Sequence, residues 1–210
     1  MMKRIAIYGG TFNPVHNGHL QTAIDLSERL GFDEVRMVPC YQAVHRDDVS
    51  VSAEARLTML ESAVCGLSAL AVDDIEMRRE GASYMFDTLQ ALRLNHPDDN
   101  LTLVMGTDAF QKFNQWHRWD EFLTLANILV IQRPNEAPHW NEELTAWVNE
   151  HQQTMESAQM QKHGAMSFSE LTQLAISSTE IRNKCRSGQQ IDCLVPVQVK
   201  EYIMKNGLYQ

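Results

Sequence analysis

The chain of 210 residues lacks any long apolar run: stretches such as 128–131 are far too short to cross a bilayer. Met1-Met2-Lys3-Arg4 leads straight into a short β-type run, not into the apolar region of a signal peptide, so a cytoplasmic location is expected. Cysteine is scarce. Cys40, Cys65, Cys185 and Cys193 lie in separate segments without a C-x-x-C pair, which argues against a disulfide framework or a zinc knuckle and for reduced thiols. Positive charge is also short, with 18 Lys and Arg against 27 Asp and Glu and a net charge of −9. A protein so balanced is not expected to coat nucleic-acid phosphates or an anionic membrane, and an anionic ligand must find a locally positive pocket. Internal repeats and low-complexity linkers are missing too. What is present is ordinary globular composition, 44% hydrophobic and 21% charged. A domain of this length buries roughly 70% of its unfolded surface, so one domain over 1–210, with a helical C-terminal part from about 177, is expected.

Short β-type runs alternate with helix-length amphipathic segments, the pattern of βαβ units. Strands are expected over 4–8, 34–39, 70–73, 101–105, 128–131 and 165–168. Leu20, Ala23, Ile24 and Leu30 recur at near-helical spacing before Gly31, and Leu57, Leu60, Val64 and Leu67 mark a helix that Ser52 could cap. Further helices are expected over 84–94 and 119–126, from about Ser177, and over 197–206. The Gln- and Glu-rich stretch 138–163 reads as a long exposed helix, or a pair of helices, laid over the sheet.

The segment Gly9-Gly10-Thr11-Phe12-Asn13-Pro14-Val15-His16-Asn17-Gly18-His19 carries the strongest signal. Two glycines after a strand let the backbone turn and approach a ligand, and His16 and His19 fall at the start of a helix, where free N–H groups favour anions. The segment is neither G-x-G-x-x-G nor G-x-x-x-x-G-K-[ST], which argues against dehydrogenase and P-loop readings. Two histidines three apart could also ligate a metal, yet no nearby carboxylate or cysteine completes a set. The plainer reading is a polar turn with a helix-capping histidine. A second signal is Ile176-Ser177-Ser178-Thr179-Glu180-Ile181-Arg182, where Ser177 and Glu180 fit a capping box. Ser178, Thr179 and Arg182 would then offer hydroxyls, N–H groups and a fixed charge to a polyphosphate, or amount to ordinary capping and a solvated arginine.

Together the two motifs resemble the nucleotidyltransferase superfamily, and specifically the bacterial nicotinate-mononucleotide adenylyltransferase family. Other landmarks similar to that family are Gly106-Thr107-Asp108, Trp116 before Trp119, Arg133-Pro134, Leu194-Val195-Pro196, Tyr202-Ile203 and Gly207-Leu208-Tyr209, so the resemblance spans nearly the whole chain. It implies a Rossmann-like, doubly wound, mostly parallel sheet with helices on both faces and a helical C-terminal part. ATP would lie across the carboxyl ends of the strands.

By this resemblance His16, His19 and Arg182 are the catalytic residues. ATP would be held by Gly9, Gly10, Thr11, Phe12, Gly18, Gly106, Asp108, Ser178 and Thr179, with Asp108 accepting from the ribose hydroxyls. On its own, Asp108 after a strand would read as a helix N-cap. The mononucleotide would stack on Trp116 and meet His45, Arg46, Tyr84, Met85 and Arg133, whereas Trp119 reads as core. Val44 and Arg46 stand where the family shows proline and lysine, and Met85 where it shows threonine, so a hydroxyl is missing beside the pyridine substituent. The implied reaction joins ATP and nicotinate mononucleotide, with Mg²⁺ carried by the triphosphate and no protein metal cage. Nicotinamide mononucleotide, another phosphate-bearing acceptor such as phosphopantetheine, and a silent nucleotide-binding regulator are the alternatives. Self-association as a homo-oligomer is compatible with everything in the sequence.

Overall fold

A computed structural model of the chain describes residues 2–42, 51–79, 81–132 and 140–210. Six parallel strands form one sheet: β1 (Arg4–Gly10), β2 (Glu34–Pro39), β3 (Leu70–Val72), β4 (Asn100–Gly106), β5 (Asn127–Gln132) and β6 (Met166–Glu170). Their order is β3-β2-β1-β4-β5-β6. The chain winds outward from β1 to one side and returns to continue on the other, so β1 and β4 meet at the switch point with their carboxyl ends open to a ligand. The expected doubly wound architecture is present, and all five strand pairings are parallel.

Side chains alternate between two cores. Ala6, Val104, Leu129 and Ile131 join one face, and Ile5, Ile7, Leu101, Leu103, Ile128 and Val130 the other. The first face is covered by α1 (Asn17–Glu28), α2 (Ala53–Val64), α8 (Ser178–Arg186) and α9 (Val197–Lys205). The second is covered by α4 (Met85–Asn95), by 3-10 turns at Phe113–Gln115 and Trp119–Thr124, and by α6 (Glu142–His151). Strands covered on both faces read as continuous apolar runs, which is why they stood out in the sequence.

Several boundaries differ from expectation for physical reasons. β1 runs on through both glycines, which pair with Val38 and Pro39. The expected helix 119–126 is a 3-10 segment: Arg118 enters it at φ 56°, clamped by two 2.6 Å bonds to Glu121 and lying over the Phe86 ring. Stretch 138–163 holds the pair of helices, α6 and α7 (Met155–Gln159), though α6 buries Leu144 and Val148 rather than lying wholly exposed. The short helices α3 (Ile75–Arg79) and α5 (Thr107–Phe110) have too few turns to show a periodicity.

Candidate active site

The histidine segment folds as a reciprocal cap. His16 is the N-cap of α1, and its Nδ1 accepts from the His19 N–H at 3.3 Å, while His19 Nδ1 accepts from the His16 N–H at 3.2 Å. This is a capping box built from two imidazoles, with histidine in the places of serine and glutamate. The helix-capping histidine that the sequence offers as its plainer reading is therefore present as His16, and the reciprocal bond from His19 goes beyond it. Because each Nδ1 accepts, each ring carries its proton on Nε2. The rings stack at 3.6 Å, and burial pushes His16 down to about 4 and His19, beside it, down to about 3. Both are neutral donors at neutral pH.

The site glycines have φ values open to any residue, so their role is close approach rather than turning. A Cβ on Gly9 would strike the Met85 thioether, one on Gly10 would lie 2.9 Å from the Phe12 ring, and one on Gly18 3.0 Å from His16 Nδ1. A Cβ on Gly106 would lie 2.8 Å from Asp108 Oδ1. The turn itself is made by Phe12, buried at φ 46°, with its ring edge-on to His19 at 5.1 Å. Gly106, not Asp108, caps α5, and Asp108 sits in its first turn.

The opposite wall is the start of α8. Ser177 caps it, accepting from the Glu180 N–H at 3.1 Å, so the serine half of the expected box forms. The N–H groups of Ser178 and Thr179 are then left without an intrahelical partner. The Ser178 hydroxyl donates to the Pro14 carbonyl at 2.9 Å, and Arg182 donates to the Asn13 carbonyl at 2.9 Å and to Thr179 Oγ1 at 3.2 Å. The loop joining β6 to α8 is held by buried Asp25, which accepts from the Thr172 N–H at 2.9 Å and pairs with Arg29. Burial alone would raise the Asp25 carboxyl, but bonds from Thr172, Gln21 and Arg29 outweigh it and hold the group low.

Between these walls lies a cavity of about 560 Å³ at the ends of β1 and β4. It gathers Gly9, Gly10, Thr11, Phe12, His16, Gly18, His19, Gly106, Asp108, Ser178, Thr179 and Arg182. Asn13 and Ile176 of the two motifs line it as well, as do Tyr8, Thr22, Ile131, Gln173 and Leu174, which lie outside the motifs. Burial pushes the Tyr8 phenol up to about 12, so it stays a neutral donor. Among the described lining residues Arg182 is the one fixed cation and Asp108 the one carboxylate. Among the described residues no three His, Cys, Asp or Glu side chains gather as metal ligands.

Of the residues expected at the mononucleotide, Trp116, Tyr84 and Met85 do not line this cavity and lie beside it. Trp116 is half-buried, edge-on to Phe113 at 5.7 Å and Phe122 at 6.1 Å, and Tyr84 lies 4.7 Å from the His117 ring. Met85 opens α4 and reaches back to Gly9. The Tyr84 N–H is taken by the Ala82 carbonyl at 3.1 Å. Trp119 packs on Phe113 and Trp147, as core. His45, Arg46 and Arg133 lie outside the described residues.

A glycine-lined strand end, a capped helix start and an arginine facing one cavity at a sheet switch point define a Rossmann-like nucleotidyltransferase. The cytidylyltransferase-like family model matches residues 7–184. A protein of Hydrogenovibrio crunogenus named "Probable nicotinate-nucleotide adenylyltransferase" is 41% identical over 207 residues, covering 98% of this chain and 97% of its own. A Pseudomonas fluorescens protein of the same name is 42% identical over 211 residues, covering 100% and 99%. The solved structure of Plasmodium falciparum nicotinic acid mononucleotide adenylyltransferase complexed with NaAD matches with a TM-score of 0.75 at 20% identity, covering 99% of this chain and 97% of that one, a likeness of fold. The chain belongs to the cytidylyltransferase-like family and, within it, to the nicotinate-nucleotide adenylyltransferases.

Proposed function

We propose that this chain, one nucleotidyltransferase domain over 1–210, transfers the adenylyl group of ATP to nicotinate mononucleotide, giving nicotinate adenine dinucleotide and pyrophosphate in NAD biosynthesis. The observation that carries this is the pair of neutral imidazoles locked with Nε2–H outward, facing Arg182 across one cavity. In the reaction a 5′-phosphate oxygen of the mononucleotide attacks the α-phosphorus in line, the bond to the bridging oxygen breaks, and pyrophosphate leaves. The substrate phosphate is the nucleophile, so the protein positions and neutralises.

His16 and His19 donate to charge growing on the α-phosphate, and the N–H groups of Gly18, Ser178 and Thr179 with Arg182 hold the β- and γ-phosphates. Gly9, Gly10, Thr11, Phe12 and Gly106 hold the adenosine through backbone contact, and Asp108 accepts from its ribose. The pyridine nucleotide lies toward Trp116, Tyr84 and Met85, with His45, Arg46 and Arg133 as its further partners. One carboxylate among the described lining residues suits Mg²⁺ that arrives on the triphosphate and neutralises it there. A cytoplasmic location fits the substrates, and among the described residues no helix is long and apolar enough to cross a membrane.

Nicotinamide mononucleotide has one observation in its favour as an alternative acceptor. The Tyr84 N–H, one of two amides suited to a carboxylate, is already engaged, which leaves that of Met85. Pyrophosphate release with ATP and a panel of phosphate acceptors decides between them, with the highest kcat/KM expected for the nicotinate form. ATP chiral at the α-phosphorus should give inversion; retention, or adenylylated protein without acceptor, would overturn the single displacement.

A further inference from the structure

Arg56 projects from α2 into the protein and is 1% exposed. It takes no part in lining the cavity, and among the described residues it makes no ion pair. Glu54 and Glu76 act on it only through space, and burying a guanidinium in this way is costly where a neutral chain of similar volume would fill the space more cheaply. Its partners are two backbone carbonyls from opposite sides of the site. Nη1 donates to Thr11 at 2.7 Å and Nη2 to Tyr41 at 3.1 Å, while Nε is buried without a hydrogen-bond partner among the described residues.

Thr11 precedes Phe12, the buried residue at φ 46° that turns the chain from the glycines toward His16. Such a conformation is unfavourable without a glycine, so it must be held from outside. Asn13, on the far side, is held by the Tyr209 hydroxyl at 2.6 Å and by Arg182. Arg56 holds the near side. A cation on the Thr11 carbonyl also polarises the peptide that it shares with Phe12 and makes that N–H a stronger donor. Tyr41 follows β2, and its N–H bonds to Ser83 Oγ, next to Tyr84 and Met85. The planar fork therefore spans the loop after β1 and the segment after β2 that bonds to Ser83, beside Tyr84 and Met85.

We propose that Arg56 is a positioning residue that couples the two substrate half-sites, its guanidinium fixing the Thr11 carbonyl on the ATP side and the Tyr41 carbonyl on the acceptor side. This rests on the functional reading above, so wild-type turnover of ATP with nicotinate mononucleotide is established first; its absence sinks that reading, whatever Arg56 does. Kinetics and binding of a non-hydrolysable ATP analogue, with and without mononucleotide, are then compared for wild type, Arg56→Met, Arg56→Lys and a control, Leu60→Ala, that damages the same helix elsewhere.

In wild type each ligand should tighten the other. Arg56→Met should raise both KM values about tenfold and abolish that mutual tightening, whereas Leu60→Ala should melt lower with both KM values kept. Lysine keeps the charge but cannot bridge two carbonyls, so Arg56→Lys should lose the tightening while holding at least one KM; this arm decides if the methionine variant does not fold. The proposal is overturned by a folded Arg56→Met with both KM values within about twofold of wild type, by one that moves only one of them, by an Arg56→Lys that keeps the tightening, or by a wild type that shows none.

Discussion

The two half-sites are built differently. The side proposed for ATP rests on two helix caps, each closed within a few residues, beside a buried turn that Arg56, Arg182 and Tyr209 hold from outside. The acceptor side is assembled from distant pieces, with α4 meeting the Trp116–His117 turn through ring contacts and Met85 bridging to Gly9. Local devices fix donors rigidly whatever lies beyond them, whereas a surface made of half-buried rings and a flexible thioether can be altered piecemeal. One half is therefore expected to lose chemistry when changed, and the other to change preference.

The largest effect should come from the rigid half. His19→Ala should lower kcat by roughly 10²–10³-fold, with a smaller effect on ATP affinity, because it removes a donor aimed at charge that grows in the transition state. His19 also closes the cap, so the variant should lose about 1 kcal/mol of stability as well. A folded variant with near wild-type kcat would falsify this role. His16→Ala should move in the same direction.

Acid should unfold the protein partly through this cap. Both imidazoles have folded-state values below the ordinary 6.5, so the unfolded chain binds more protons as pH falls. Their contribution is full above about 6.5 and is lost progressively down to about 3. Melting temperature should therefore fall more between pH 7 and pH 4 in wild type than in a His16→Asn/His19→Gln variant; equal slopes would assign the acid loss to carboxylates instead.

A smaller effect should come from the acceptor side. Met85→Thr restores a hydroxyl beside the pyridine substituent and should raise the preference for nicotinate over nicotinamide mononucleotide by two- to tenfold, about 0.5–1.5 kcal/mol. An unchanged ratio of kcat/KM values would remove Met85 from the set that governs selectivity. The smallest effect is structural: Ser52→Ala, which removes the cap on α2, should cost about 1 kcal/mol in urea unfolding and leave both KM values alone.

The sheet was legible because burial on both faces makes β4 and β5 mostly apolar, and because Ser52, Ser177 and Gly31 mark helix ends by their own chemistry. Most of the cavity's polar lining was legible too, being packed into two short motifs. What escaped depends on contacts between segments far apart in sequence. Nothing near position 118 announces a left-handed residue, because its stabilisers, Glu121 and the Phe86 ring, act only after packing. The glycines were seen, but the turn assigned to them is made by Phe12, and the Met85 methyl that crowds a Cβ on Gly9 comes from another helix. Arg56 is invisible as a site residue in sequence, since only the fold brings Thr11 and Tyr41 within its reach.

The alternation of strand side chains between two cores has a consequence for how this scaffold can change over time. Phe12 and Ile181, beneath the ATP loop and α8, belong to one core, and Phe86, Phe113 and Phe122, beneath the acceptor cluster, to the other, with the sheet between them. Substitutions separated by a sheet and sharing no partner add nearly independently. A lineage can thus drift within one core with little effect on the other, except at Met85, which meets Gly9, and at Arg56, which bridges Thr11 and Tyr41.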